Sequence, residues 1–229
     1  MKNICVIPAR GGSKRIPRKN IISFCGKPMI FYAINVAKET KLFDAIFVST
    51  EDAEIARISS EFGAQIIDRP VELADDFTST IDVISHAAND LENNGIEFNN
   101  ICCIYPSVPL LSPKYIIEAS KMNLIYRNKF IFPVVEFQSK IQRALKFNQN
   151  EELEPVYPEN EHIRSQDLEN AFYDAGQFYW ADKTTWKDAK NIHFGGHGIK
   201  IPAFSAVDID TIEDLELAKT IFETRRIKL

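Results

Sequence analysis

The sequence predicts a doubly wound α/β fold around a mostly parallel sheet, and three observations carry that expectation. Short β-favouring apolar runs at 4–7, 45–48, 65–67 and 101–104 alternate with stretches whose apolar residues recur at helical spacing. The first run ends in Pro8-Ala9-Arg10-Gly11-Gly12-Ser13-Lys14, a Gly-containing basic loop at the carboxyl end of a strand, where open α/β sheets bind ligands. The 229 residues suffice for one such domain carrying a sizeable insertion. A single domain over 1–229, interrupted at about 136–170, is expected.

Composition narrows the function. Hydrophobic residues at 45% and charged residues at 26% are ordinary for a globular chain and argue against disorder. A net charge of −5 argues against a nucleic-acid partner, so the basic loop is a local feature suited to a small polyanion. No apolar run approaches the ~20 residues that cross a bilayer, so no membrane is expected. Lys2-Asn3 leads directly into the first strand, leaving no room for a signal peptide, and a cytoplasmic location is expected. Cys5, Cys25, Cys102 and Cys103 show no Cys-x-x-Cys spacing and read as reduced, mostly buried small hydrophobes.

In the first loop, Gly11 and Gly12 are expected to allow positive φ and a close ligand approach, beside five cations: Arg10, Lys14, Arg15, Arg18 and Lys19. Neither a Walker A loop nor a dinucleotide Gly-x-Gly-x-x-Gly can be read there. The segment, continued by Ile16-Pro17-Arg18-Lys19-Asn20, resembles the signature loop of the CMP-sialic acid synthetases (acylneuraminate cytidylyltransferases), which activate nonulosonic acids. The resemblance implies a Rossmann-like nucleotidyltransferase fold whose loop wraps the triphosphate of CTP. It places Arg10, Gly11, Gly12, Ser13, Lys19 and Asn20 at the nucleotide and its phosphates. Arg15 departs from the Gly that many sialic acid synthetases carry there.

After the Gly26-Lys27-Pro28 turn, Ile30, Phe31, Ile34 and Ala37 mark a helix. A second strand at 45–48 runs into the capping cluster Ser49-Thr50-Glu51-Asp52 and a helix stopped by Gly63, then a third strand at 65–67. Next, Arg69-Pro70-Val71-Glu72-Leu73-Ala74 leads to a helix opened by a capping box, Ser79-x-x-Asp82. Taken alone this is a loop and a helix start. It resembles the family's second nucleotide segment, which implies that Arg69 reaches the nucleotide and Thr80 the ribose or base. A helix N-terminus facing an anion agrees with that.

The strand at 101–104 delivers Tyr105-Pro106-Ser107-Val108-Pro109-Leu110 to the same edge. This resembles the family's Gln-Pro-Thr-Ser-Pro-Leu segment, whose Gln touches the sugar acid. Tyr105 replaces that Gln, and loss of a carboxamide that pairs with one substituent should alter which acid is accepted. Ser112-Pro113 starts a helix to about residue 126, and 130–135 is another strand. The rhythm breaks at 136–170, a polar excursion. The resemblance implies that part of it makes a dimer contact, hence a homodimer.

Arg164-Ser165-Gln166-Asp167-Leu168 and Asp174-Ala175-Gly176-Gln177-Phe178-Tyr179-Trp180 look like the pseudaminic acid cytidylyltransferase branch of the family. That likeness puts Gln166, Gln177 and Tyr179, with Tyr105, at the sugar acid. His193 and His197 lack the Glu of a zinc motif and enclose two glycines, so they belong to a loop. A final strand at 199–202 precedes Val207-Asp208-Ile209-Asp210-Thr211, with Thr211 and Asp214 capping the last helix. On their own Asp208 and Asp210 read as a solvated acid pair at a helix start. The family's Asp-x-Asp matches them and implies Mg²⁺, a hard cation that takes few carboxylates and shares phosphate oxygens.

The implied reaction is attack of a sugar-acid hydroxyl on the α-phosphate of CTP, with pyrophosphate leaving. Such chemistry rests on positioning and charge neutralisation. Arg10 and Lys19 would offset triphosphate charge, and Asp210 would accept the hydroxyl proton. Two rivals use the same loop: a nucleotidyltransferase for another sugar or alcohol, CMP-N-acetylneuraminate and CMP-legionaminate synthetases included, and a non-enzymatic phosphate-binding module. The last would have no use for Asp208 and Asp210.

Overall fold

The structure is a computed structural model that describes residues 2–226. The sheet is organised on β1 (Asn3–Pro8), whose apolar run is continuous because both its faces are buried. Cys5 and Ile7 enter the core on one face, Ile4 and Val6 the core on the other. After the basic loop, β2 (Ser23–Phe24) and β3 (Lys27–Pro28) form a small ribbon that leads into helix α1 (Met29–Thr40). Strand β4 (Ala45–Thr50), helix α2 (Ala53–Glu61), strand β5 (Gln65–Asp68), helix α3 (Thr80–Asn93) and strand β6 (Asn100–Ile104) follow in the expected alternation. β1 pairs in parallel with both β4 and β6, and β5 extends the sheet beyond β4.

The second half adds helix α4 (Pro113–Ile125), strand β7 (Ile131–Glu136), the short β8 (Leu145–Phe147) and β9 (Leu153–Pro155), then β10 (Phe172–Asp174), β11 (Phe178–Asp182), helix α5 (Lys183–Asp188), β12 (His197–Lys200) and helix α6 (Ile212–Arg226). β11 lies antiparallel between β6 and β7, β10 runs antiparallel along β7, and β12 pairs with β7 in parallel. The sheet is thus mostly parallel, with β10 and β11 running against the rest. Helices α1 and α4 cover one face around Ile34, Ile116 and Trp180, while α3 and α5 cover the other around Ile84, Leu91 and Trp186. Asp52, Ser79 and Asp182 cap α2, α3 and α5 through side-chain oxygens that accept first-turn amides.

A third, smaller apolar cluster fixes the geometry of the cleft. Ile16 from the basic loop is 1% exposed and shares this cluster with Phe24, Met29, Ile209 and Leu215. Burial of Ile16 beside Ile209 ties the loop to the segment that carries Asp208 and Asp210. In the 136–170 excursion, β8 and β9 pair only with each other, and Lys140 Nζ donates to Leu168 O at 3.0 Å to close its base. Cys5, Cys102 and Cys103 are buried free thiols whose pKa values burial pushes up. No helix among the described residues is long and apolar enough to cross a membrane.

Candidate active site

A cleft of about 530 Å³ opens at the carboxyl ends of β1 and β6. Arg10, Ser13, Lys19 and Asn20 line it from the first loop, Arg69 and Thr80 from the second segment, and Tyr105 and Asp208 from the far side. These eight residues, scattered over nearly 200 positions of sequence, are brought together at one cleft.

The loop itself differs from expectation in its backbone. Gly11 and Gly12 do not adopt positive φ; the left-handed residue of the segment is Arg18, at φ 58°. A Cβ at Gly11 would stand 2.5 Å from Asp52 Oδ2, so the position needs glycine because a carboxylate side chain passes close by. Two of the loop's amides are already used: Gly11 N–H donates to Glu51 Oε1 at 2.7 Å and Ser13 N–H to Gly11 O at 3.0 Å. Asn20, 4% exposed, donates through Nδ2 to Arg10 O at 2.8 Å and thereby holds the loop's own backbone.

Every cation of the loop already faces a carboxylate. Arg10 meets Asp76 at 2.8 Å and donates to Asp75 O at 2.6 Å, and Lys14 bridges to Asp76. Arg15 and Lys19 meet Asp210 at 2.7 and 3.2 Å, and Lys19 also donates to Ile209 O at 2.9 Å. Arg18 bridges Asp52 and Glu54, each at 2.5 Å. The Arg18 guanidinium holds the Asp52 carboxyl down at about 2. Since Asp52 also caps α2, Arg18 is a strut behind the loop rather than a ligand group. The sequence reading missed Asp76, which its neighbour Asp75 helps to place; the only signal was two acids adjoining the Arg69 segment.

Arg69 is 6% exposed and donates to Ser49 O at 2.5 Å and Ser49 Oγ at 3.2 Å. Burial pulls its pKa down, and Glu51 is its counter-charge. On the acidic side, Ile209 points into the core and Asp208 lines the cleft, whereas Asp210 is not among the cleft-lining residues and reaches its edge through Arg15 and Lys19. Partial desolvation and the Asp210 charge push the Asp208 carboxyl up, and among the described residues it accepts no hydrogen bond. Two adjacent carboxylates, one without a donor, suit a divalent cation whose remaining ligands are phosphate oxygens or water. Among the described residues no cluster of three or more His, Cys, Asp or Glu is placed to hold a metal by itself.

The far end of the cleft is where the expected sugar-acid residues separate. Tyr105 lines it, and its hydroxyl lies 2.6 Å from Thr80 Oγ1; burial raises its pKa to about 12, so it stays protonated. Tyr179 is 4% exposed, and its hydroxyl donates to Asp174 Oδ2 at 2.6 Å, behind Tyr105 rather than in the open cleft. Gln177, also 4% exposed, is turned inward and donates to Ser205 O, so Gly176 and not Gln177 forms the wall there. Tyr179, in β11, packs into the core covered by α3 and α5, while Gln177, just before the strand, is held inward by its bond to Ser205 O. Gln166 sits exposed on the 165–167 turn of the excursion, with no part in the cleft lining of this chain.

A cleft with cations on one wall and carboxylates on the other is built to hold a polyphosphate beside a reacting hydroxyl, which makes this, by fold and site, an α/β nucleotidyltransferase. The chain belongs to the cytidylyltransferase family, whose model matches residues 4–225. It is 39% identical over 226 residues to the pseudaminic acid cytidylyltransferase of Campylobacter jejuni subsp. jejuni serotype O:2, covering 97% of each chain. It is 29% identical to the N-acylneuraminate cytidylyltransferase of Streptococcus agalactiae serotype V, covering 93% of this chain and 52% of that one. Among solved structures, a CMP:2-keto-3-deoxy-manno-octonic acid synthetase complexed with CTP shares the fold with a TM-score of 0.75 at 16% identity, covering 98% of this chain and all of that one.

Proposed function

We propose that the protein transfers CMP from CTP to the anomeric hydroxyl of pseudaminic acid, releasing pyrophosphate, in the cytoplasm and as a homodimer dependent on Mg²⁺. The observation that carries this reading is the Lys19–Asp210 contact, which ties the basic loop to the acid pair across one cleft in a chain 39% identical to a pseudaminic acid cytidylyltransferase. Arg10 and Lys14 leave Asp76 for the β- and γ-phosphates, and Lys19 offsets charge that grows on the departing pyrophosphate. The anomeric oxygen forms its bond to the α-phosphorus as the bridge to pyrophosphate breaks, and the hydroxyl proton passes to Asp210. Asp208 and Asp210 would hold Mg²⁺, which supplies Lewis-acid polarisation when bound. Tyr105 lies at the acid end, where the absence of a carboxamide favours a deoxy, diacetamido acid over N-acetylneuraminic acid.

The homodimer reading is supported by the excursion. Phe147 pairs with Leu153 across the β8–β9 hairpin, and Leu145 lies on the same face by alternation; the three are 71%, 59% and 56% exposed. An isolated two-stranded hairpin is marginal in water, so a second copy covering this face accounts for it. Pyrophosphate release from CTP or UTP, with and without Mg²⁺ and with each acid, tests the proposal. Turnover of pseudaminic acid should exceed that of N-acetylneuraminic acid at least about tenfold in kcat/KM. Equal values would leave only the broader cytidylyltransferase function.

A further inference from the structure

The family resemblance puts Gln177 at the sugar acid, and the structure gives it a different place. Its side chain is 4% exposed, takes no part in the cleft lining, and donates through Nε2 to Ser205 O. Its backbone carbonyl accepts Tyr105 N–H at 2.9 Å. Gly176 before it and Tyr105 beside it are cleft wall, and Ser205 lies three residues before Asp208, which also lines the cleft. Gln177 is therefore a brace between the wall assigned to the acid and the 203–208 strap that leads into the carboxylates. Arg225 of α6 holds the same strap from another side. Its guanidinium donates to Ser205 Oγ at 2.9 Å and to Leu110 O at 3.0 Å, which ties the segment that begins at Tyr105 to Ser205 a second time.

The Gln177 side chain contributes little net stability. Its Oε1 is buried and has no protein donor, so the carboxamide satisfies only one of its two ends. What the Nε2 bond does supply is a fixed distance, because Ser205 sits in a single turn at 203–205, outside the sheet that positions Gly176 and Tyr105. We propose that Gln177 is a positioning residue: by holding Ser205 O it sets the separation between the Gly176–Tyr105 wall and Asp208, and so places the acid's hydroxyl for attack. The inference rests on the proposed use of this cleft for nucleotidyl transfer to a sugar acid. It moves Gln177 from the residues that touch the acid to those that space the two sides of its site.

Gln177→Met keeps the length of the side chain and removes the bond. In steady-state pyrophosphate release with pseudaminic acid and CTP, we expect kcat to fall about tenfold, the scale of a small misplacement of reacting groups, with the KM for each substrate within about threefold of wild type. The thermal midpoint should change little, because loss of the Nε2 bond is offset by removal of a buried oxygen that has no donor. Ser205→Ala releases Arg225 from the strap but leaves the backbone oxygen that Gln177 holds, and should lower kcat only about threefold. If thermal unfolding shows that Gln177→Met does not fold, the Ser205→Ala kcat decides in the same way. An unchanged kcat overturns the inference, and so does a fall in kcat matched by a higher KM for CTP, which marks a general loss of structure. An acid KM raised more than about threefold also overturns it and returns Gln177 to direct contact with the acid. A wild type that releases no pyrophosphate with any nonulosonic acid overturns the proposed function itself, whereas an active wild type beside an equally active Gln177→Met overturns this inference alone.

Discussion

The two ends of the cleft are built on different physics. At the phosphate end, long cationic side chains at the surface each rest on a carboxylate: Arg10 and Lys14 on Asp76, Arg15 and Lys19 on Asp210. Solvent-accessible pairs of this kind contribute little to stability and exchange partners readily, which on the proposed function would let an arriving triphosphate displace them. At the acid end, burial raises the pKa values of Tyr105 and Tyr179, and the Tyr179 hydroxyl is held by Asp174 behind Tyr105, which lines the cleft. On the proposed function, the phosphate end would adapt to its ligand, whereas the acid end, with Tyr179 held by Asp174, would select among ligands.

The largest effect expected from breaking this arrangement is at Asp210, where the ends meet. Asp210→Ala should lower kcat about a thousandfold, the scale of removing a group that acts on developing charge, while CTP affinity changes by less than about threefold. Near wild-type kcat would remove Asp210 from the chemistry. Next, Arg10→Ala should cost about 2–4 kcal/mol in kcat/KM for CTP, the scale of one preorganised donor. An unchanged value would mean that Arg10 stays with Asp76 throughout turnover.

Smaller effects sharpen the comparison. Lys14 and Arg10 hold the Asp76 carboxyl below its usual range, so Asp76 competes as an anion at neutral pH. Asp76→Asn should therefore tighten CTP binding about threefold by calorimetry, and weaker binding would make Asp76 a ligand support instead of a placeholder. Arg18 tests the opposite case, a loop cation with a structural duty. The Asp52 carboxyl, held at about 2 against 3.8 in an unfolded chain, adds stability that is complete above pH 4 and is lost as pH falls toward 2. In Arg18→Ala the thermal midpoint should be lower at pH 7 and should fall less between pH 4 and 2. A parallel decline of wild type and variant would show that Arg18 does not set the Asp52 titration.

Much of this was readable in advance for local reasons. The alternation of apolar runs and helical spacing located β1, β4, β5 and β6 with their helices, because strand and helix periods are properties of neighbouring residues. The capping box at Thr211–Asp214 formed as expected, and at Ser79–Asp82 the Ser79 hydroxyl accepts Asp82 N–H and donates to the Asp82 carboxylate. The basic loop was visible from its residue types, whereas the Asp208–Asp210 pair read on its own as a solvated acid pair and stood out only through the family resemblance. The partners were not. That Gly11 makes room for Asp52, that Asp76 occupies Arg10 and Lys14, and that Gln177 and Tyr179 turn away from the open cleft depend on contacts between segments up to 66 residues apart.

What the sequence determined by itself was the order of elements and the chemistry available at one edge of the sheet, because hydrophobic period, capping and charge type are encoded locally. What only the tertiary structure decided was direction and pairing. β11 runs antiparallel between β6 and β7, and that register sets Tyr179 opposite Cys103, where its hydroxyl meets Asp174 behind Tyr105. Period-2 alternation fixes which side chains share a face, but burial against α3 and α5 fixes which face is inside, and so which tyrosine reaches the cleft.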